Sequence, residues 1–451
     1  MKKITSRAII CIILALLLFL GTSLFVFKFV KSGGDWAAFP SNKHLYTDGT
    51  LNCGRILDSE GVVLAEYDEG WKFNKNSSVR RGTLHSVGDP AGVIGTGALS
   101  VFADKLTGYN MFTGSKTLFD GGRDVYLTID SELCAQAWKA LGSHNGAISV
   151  YNYKTGEIIC MVSSPTYDLK HGIDVDNAPD GVFQNNVTNG LYTPGSVFKL
   201  VTATAALEQI KGIESMTFEC DGTTELDGAI VTCPYAHGTM NLEQALNKSC
   251  NGVFGQLAIK LGAKTMHDYV ESTGLTSNYS INGITTKASV FDFDYEGNSG
   301  LAWGGVGQGK DMVNPASMMI FAGAIANEGD AALPQILKYT AFHEGARTSL
   351  YIRHYTRNLI NSETASTLKE MMRTDVINNY GQNNFPGLEI CAKSGTAQTD
   401  GKADTAWFVG FLDDAQHPLA FSVTVEGGGS GASTAGRIAN QILQTAVSKG
   451  Y

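Results

Sequence analysis

The chain has 451 residues, 43% hydrophobic and 17% charged, enough to bury a large core in more than one domain. Its formal charge of −9 leaves no basic face and argues against nucleic acid as the main partner. The eight cysteines show neither CxxC nor Cys/His ligand spacing, and no HExxH occurs, so a zinc site is not supported and no cofactor is expected.

Ala8 to Phe27 carries no charge and is long enough to cross a bilayer. Lys2, Lys3 and Arg7 precede it, which predicts a cytoplasmic N-terminus and an exported remainder, although Lys28 and Lys31 weaken the bias. A cleaved signal peptide is the alternative, but its apolar region would be shorter. The expectation is a cytoplasmic tail over 1–7 and a single-pass anchor over 8–30. A linker and small N-terminal pedestal domain follow over 31–122, in which Gly54 to Ala65 reads as strand, turn, strand.

From Arg123 the pattern is firmer. Val125 to Asp130 is strand-like, and Asp130 or Ser131 caps a helix through Leu141. Ala147–Tyr153 and Glu157–Ser163 form a hairpin across Lys154-Thr155-Gly156. Thr193 is placed as N-cap and Pro194 at the first position of a helix carrying Ser196 and Lys199, which ends near Gly212. Cys220 and Cys233 bracket a Gly-rich hairpin and form the expected disulfide, while Cys250 and the others read as small buried hydrophobes. Asn241 caps a helix over Leu242–Asn247, and Val253–Leu261 forms another, with Ser249-Cys250-Asn251 in the break. Pro315–Asn327 and Thr364–Met372 are further helices; Leu388–Ala392, Thr405–Leu412 and Leu419–Glu426 are strands, and Ala435–Val447 is a closing helix. Strands before and after a helical middle predict one mixed sheet with helices on its faces, an α/β (mixed) fold over 123–451.

Ser196 in a first helical turn, with Lys199 on the same face in an apolar wall, is a nucleophile with its base beside it. Ser249 can relay a proton, and Asn251 can hold the lysine and a substrate amide. Lys393 on a strand offers positive charge to a carboxylate, Ser394 and Thr396 offer hydroxyls, and Gly395 admits a substrate backbone. The N–H groups of Ser196 and Thr396 are the expected oxyanion donors. Each short pattern also occurs elsewhere: SxxK at Ser366/Lys369, SxN at Ser143/Asn145 and Ser280/Asn282, KSG or KTG at Lys31 and Lys154. Only the Ser196, Ser249 and Lys393 set joins a helix start, an interhelical break and a strand in the right order.

With these motifs stand Leu127 to Asp130, Ser164 to Asp168, His237-Gly238, Gly307-Gln308-Gly309, Ala326 to Gly329 and Ala406 to Gly410. The chain resembles the class B penicillin-binding proteins from Gly54 to near its C-terminus. It departs from them at Gly97-Ala98-Leu99 and Asn185-Asn186, where relatives often carry Gly-Leu-Glu and Asn-Arg. The resemblance implies the serine penicillin-recognising sheet flanked by helices, and a D,D-transpeptidase acylated at Ser196 by stem peptides ending in D-Ala-D-Ala or by β-lactams. It also implies a polymerising membrane glycosyltransferase as partner and an extracytoplasmic catalytic domain. The alternatives are a D,D-carboxypeptidase or β-lactamase-like hydrolase, and a non-enzymatic scaffold or sensor. No dedicated deacylating acid motif is evident, and the short tail leaves no room for a signalling domain.

Overall fold

The computed structural model describes residues 2–37, 53–108, 122–226, 228–342, 345–349, 352–399 and 402–451. The expected linker runs from Ser32 to about Asn52; its first part, to Ala37, continues the N-terminal helix, while 38–52, and 109–121 of the N-terminal region, lie outside the described residues. Helix α1 (Lys2–Ala37) contains the apolar stretch Arg7–Gly33, which is long enough to cross a membrane, and its large apolar side chains from Ile9 to Val30 are exposed.

Beyond it, β1 (Ile56–Leu57), β2 (Val63–Tyr67) and β3 (Trp71–Phe73) form an antiparallel run, followed by the short helices α2 (Ser77–Gly82), α3 (Leu84–Val87), α4 (Ala98–Val101) and α5 (Ala103–Leu106). β4 (Arg123–Leu127) lies parallel to β1 and leads into α6 (Ser131–Leu141). Asp130 caps α6 as expected, accepting from Leu133 N at 2.8 Å. β5 (Gly146–Asn152) and β6 (Ile158–Ser164) make the expected hairpin; α7 (Asn186–Asn189) and α8 (Lys199–Gln209) follow.

The middle of the chain is not wholly helical. β7 (Phe218–Cys220) pairs with β10 (Gly238–Met240), enclosing the hairpin β8 (Thr223–Leu226) and β9 (Ala229–Thr232). Then come α9 (Leu242–Asn247), α10 (Asn251–Leu261), α11 (Ala263–Ser272), the strand pair β11 (Ser280–Ile281) and β12 (Ile284–Thr285), α12 (Asn298–Val306) and α13 (Pro315–Ala326). β13 (Leu337–Phe342) returns to pair with β4, so the small sheet, ordered β13-β4-β1-β2-β3, draws strands from both sides of residue 122.

α14 (Ser362–Asp375), β14 (Ile390–Thr399), β15 (Lys402–Leu412), β16 (Leu419–Val425) and α15 (Arg437–Ser448) complete the chain. The central sheet runs β14-β15-β16-β5-β6. The mixed α/β fold is as expected, but every pairing in this sheet is antiparallel: short hairpins join β14 to β15, β15 to β16 and β5 to β6, and β16 pairs with β5 across distant chain; the parallel pair belongs to the small sheet. β16 is buried along its whole length, Ser422 and Thr424 included, as a strand covered on both faces. α13 packs against β16, β15 and β5, while α6 packs on β6 and α15. α13 is apolar all round and fully buried, and Asn314 caps it from Ala316 N and Ser317 N.

Candidate active site

Ser196 sits at the mouth of α8, but the helix starts differently from the sequence expectation. Gly195 has φ +57°, in the left-handed region, and an added side chain there would meet Thr396 O at 2.7 Å. Gly195–Phe198 is therefore a separate 3-10 turn, Pro194 takes the cap position, and Thr193 supplies no side-chain cap. Thr193 O instead accepts from Trp407 Nε1 at 3.0 Å, and Gly195 N donates to Gly307 O at 2.8 Å. The turn is pinned from both sides by a buried tryptophan on β15 and by the loop after α12.

Lys199 is completely buried, and its Nζ lies 3.0 Å from Ser196 Oγ, 2.7 Å from Ser249 O, 3.1 Å from Ser249 Oγ and 2.7 Å from Asn251 Oδ1. Burial, and next the charge of Lys393, push the Lys199 ammonium down to about 7. Ser249 stands in the expected break between α9 and α10, whereas Asn251 is the first residue of α10, which starts two residues earlier than expected; Asn241 caps α9 with a reciprocal capping box through Gln244. Ser249 has φ +52°, a left-handed value that a non-glycine residue rarely adopts. Asn251 Nδ2 donates to Thr232 O at 2.9 Å, which fixes its carbonyl oxygen toward the lysine.

The Lys393-Ser394-Gly395-Thr396 run lies inside β14, antiparallel to β15. Thr396 is exposed and Ser394 half-buried. Lys393 is buried and already partnered: its Nζ lies 3.5 Å from Asp375 Oδ2 and donates to Tyr380 Oη at 3.3 Å. Burial opposes its charge, yet Tyr380 and Asp375 outweigh that and hold Lys393 above the ordinary lysine range. Two lysines are thus driven apart, one toward the free amine and one toward the fixed cation. Gly395 serves the protein's own packing: a side chain there would meet Pro194 O at 2.9 Å and Val197 N at 3.1 Å. That glycine keeps the Ser196 turn against the strand.

Asp375, Tyr380, Trp407 and Gly307 are site residues that sequence reasoning left without a role. Asp375 ends α14 and Tyr380 lies in the π-helical turn behind it; no short spacing links either to Lys393. The competing patterns stay apart. Ser366 is exposed and Lys369 pairs with Asp413 at 3.1 Å, while Asn282 accepts from Ile336 N and Leu337 N.

Ser196, Ser249, Asn251 and Thr396 line one cleft of about 690 Å³, bounded also by Tyr235, Trp303 and Gln308. A groove of about 660 Å³ beside β3 and Arg80 contains none of these side chains. The expected Cys220–Cys233 disulfide is absent: all eight cysteines are free. Both sulfurs belong to a four-residue cluster in which Cys233 Sγ faces Cys250 Sγ at 3.8 Å and Cys220 Sγ faces His237 Nδ1 at 3.4 Å.

Residues 146–444 match the family model described as the penicillin binding protein transpeptidase domain. A curated relative, peptidoglycan D,D-transpeptidase PbpA of Mycobacterium tuberculosis, is 27% identical over 346 residues, covering 70% of each chain. The crystal structure of the D,D-transpeptidase domain of a peptidoglycan glycosyltransferase from Eggerthella lenta superposes with a TM-score of 0.75 at 25% identity, over 88% of this chain and 98% of that one. Penicillin-binding protein A of M. tuberculosis, solved as a ceftriaxone acyl-enzyme, shares the fold with a TM-score of 0.77 at 22% identity, over 88% and 98%. The family match spans every strand of the central sheet and the segments that carry Ser196, Ser249 and Lys393, and with it this chain belongs to the class B penicillin-binding protein transpeptidases.

Proposed function

We propose that this chain is a peptidoglycan D,D-transpeptidase working through a Ser196 acyl-enzyme that β-lactams also form. The observation that carries the reading is the buried Lys199 amine within hydrogen-bonding distance of Ser196 Oγ, Ser249 and Asn251 at the floor of one cleft. Ser196 Oγ attacks the carbonyl of the penultimate D-Ala, and its proton passes to Lys199 Nζ. The amide bond then breaks, and the departing D-Ala amine takes that proton through the Ser249 hydroxyl. In the second half an acceptor amine from a neighbouring peptide attacks the ester, gives up its proton along the same route, and Ser196 leaves as the hydroxyl.

The Thr396 hydroxyl, exposed in the cleft, meets the substrate carboxylate. Lys393 acts on that carboxylate from behind the strand as a buried positive charge, and Ser394, beside Tyr380, braces it. The N–H groups of Ser196 and Thr396 receive the oxyanion. α1 anchors the protein with its N-terminus in the cytoplasm, supported by Lys2, Lys3 and Arg7 ahead of the span, and the catalytic domain works outside. A polymerising membrane glycosyltransferase supplies the strands to be cross-linked.

Fluorescent penicillin tests the reading directly. The full-length protein should label covalently and Ser196→Ala should not; a wild type that stays dark removes the acyl-enzyme. Label lost within seconds would turn the assignment toward a hydrolase.

A further inference from the structure

Directly behind the Ser249 loop, Cys220, Cys233, His237 and Cys250 each turn one donor atom into a common space, and those atoms lie within 4.8 Å of one another. Cys220, His237 and Cys250 are buried and Cys233 is half-buried. Separate elements deliver them. Cys220 ends β7 opposite Gly238 of β10, and the adjacent His237 N donates to Cys220 O at 3.0 Å. Cys233 follows β9 and is held by its N–H to Gly222 O at 2.9 Å. Cys250 is the N-cap residue of α10, between Ser249 and Asn251.

The distances discriminate between the uses of such a cluster. A disulfide needs sulfurs about 2.05 Å apart. A tetrahedral zinc with bonds of about 2.3 Å to sulfur and 2.0–2.1 Å to nitrogen sets two sulfurs about 3.8 Å apart and sulfur and nitrogen about 3.6 Å apart. Cys233 and Cys250 sulfurs are 3.8 Å apart, and Cys220 Sγ is 3.4 Å from His237 Nδ1. Gly252 N also points at Cys233 Sγ from 3.4 Å, the outer-shell donor a bound thiolate uses. Packing of small apolar side chains would require neither an imidazole nitrogen nor an amide aimed at sulfur.

We propose that Cys220, Cys233, His237 and Cys250 form a structural Zn²⁺ site that holds the Ser249–Asn251 loop in place. Three thiols release their protons to solvent as the thiolates bind, and four protein ligands close the coordination sphere, so the ion has no open position for chemistry. Its effect is positional. Cys250 follows Ser249, whose left-handed backbone must be held by its surroundings, and Cys233 follows Thr232, whose carbonyl orients Asn251. The ion ties the segment from which Ser249 O and Asn251 Oδ1 grip Lys199 to the Thr232–Cys233 segment that orients Asn251. This consequence rests on the acyl-transfer reading; the metal site itself does not.

The test uses full-length protein purified in detergent under reducing conditions. Metal analysis should find about one zinc per chain, and Co²⁺ exchanged into the site should give thiolate-to-cobalt charge transfer with tetrahedral ligand-field bands. Cys220→Ser and His237→Ala should lose the cobalt spectrum and hold zinc against a chelator at least about tenfold more weakly. Stripping zinc from the wild type should slow penicillin acylation, and returning it should restore the rate. The wild-type cobalt spectrum keeps the proposal falsifiable even where a variant does not fold. Reduced wild type that takes up neither zinc nor cobalt overturns the site, as does a Cys233–Cys250 disulfide found by mass mapping of unreduced protein. A chain that binds zinc yet leaves penicillin unreacted supports the site and overturns the acyl-transfer reading.

Discussion

Lys199 Nζ touches four oxygens, whereas an ammonium has three hydrogens to give. Two of the four, Ser249 O and Asn251 Oδ1, can only accept, and both lie at 2.7 Å. A neutral amine satisfies both with its two N–H bonds and turns its lone pair to a hydroxyl, which is the state a base for Ser196 requires. With the lysine pushed down to about 7, the sign follows: below that pH the ammonium has no lone pair, above it the amine does. Penicillin acylation rates should therefore rise with pH through about 7 and then level off, and a flat profile across that range would remove Lys199 as base. Lys199→Met should slow labelling on the order of 10²–10⁴-fold. Ser249 O and Asn251 Oδ1, on half-buried residues lining the cleft, each lose a donor at a cost of at most about 1–3 kcal/mol apiece, so a cooperative, weakened unfolding transition should persist.

At the scale of elements, the site depends on a strand and a turn in near contact. β14 passes so close to the Ser196 turn that a methyl group on Gly395 would press on Pro194 O and Val197 N at 2.9 and 3.1 Å. Gly395→Ala should lower Tm and displace the nucleophile. A shift of about 1 Å costs on the order of 10² in rate, which stopped-flow acylation would read, and an unchanged rate would mean that the turn yields without cost. α14 contributes through its end: Asp375 and the turn carrying Tyr380 surround the Lys393 ammonium, so the sheet and the helix share one buried charge.

For the whole molecule, one buried ion pair outside the cleft bears on stability. Arg80 on α2 forks onto Asp168 after β6 at 2.5 and 2.7 Å, with both side chains 6% exposed, and also donates to Asn74 O and Lys75 O. Arg80→Ala leaves a buried carboxylate unpaired and should cost about 3–5 kcal/mol at neutral pH. The Arg80 hydrogen bonds hold Asp168 down at about 2, below its ordinary 3.8. A depressed carboxylate stabilises fully above the unfolded value, near pH 4, and loses that stability as the pH falls toward 2. The mutational cost, measured by urea unfolding, should therefore shrink between pH 7 and pH 2; an equal cost at both would assign it to packing.

Composition and periodicity alone determined the apolar N-terminal segment, the Asp130 cap, the hairpin over Lys154 to Gly156, the Asn241 cap and the break that carries Ser249. Each is a local property, set by capping chemistry, turn residues and the alternation of apolar side chains within a few positions. The three-motif set was legible because its members occur in order, and rival patterns fell away on context. What only the tertiary structure decided was every relation across distant chain. Gly195 takes a left-handed conformation because β14 and Gly307 crowd it, and Lys393 is enclosed by Asp375 and Tyr380. The register of β7 with β10 sets Cys220 beside His237, and α10 brings Cys250 to Cys233, so four residues spread from Cys220 to Cys250 meet in one cluster. Register and packing are contacts between segments far apart in sequence, so no local pattern encodes them.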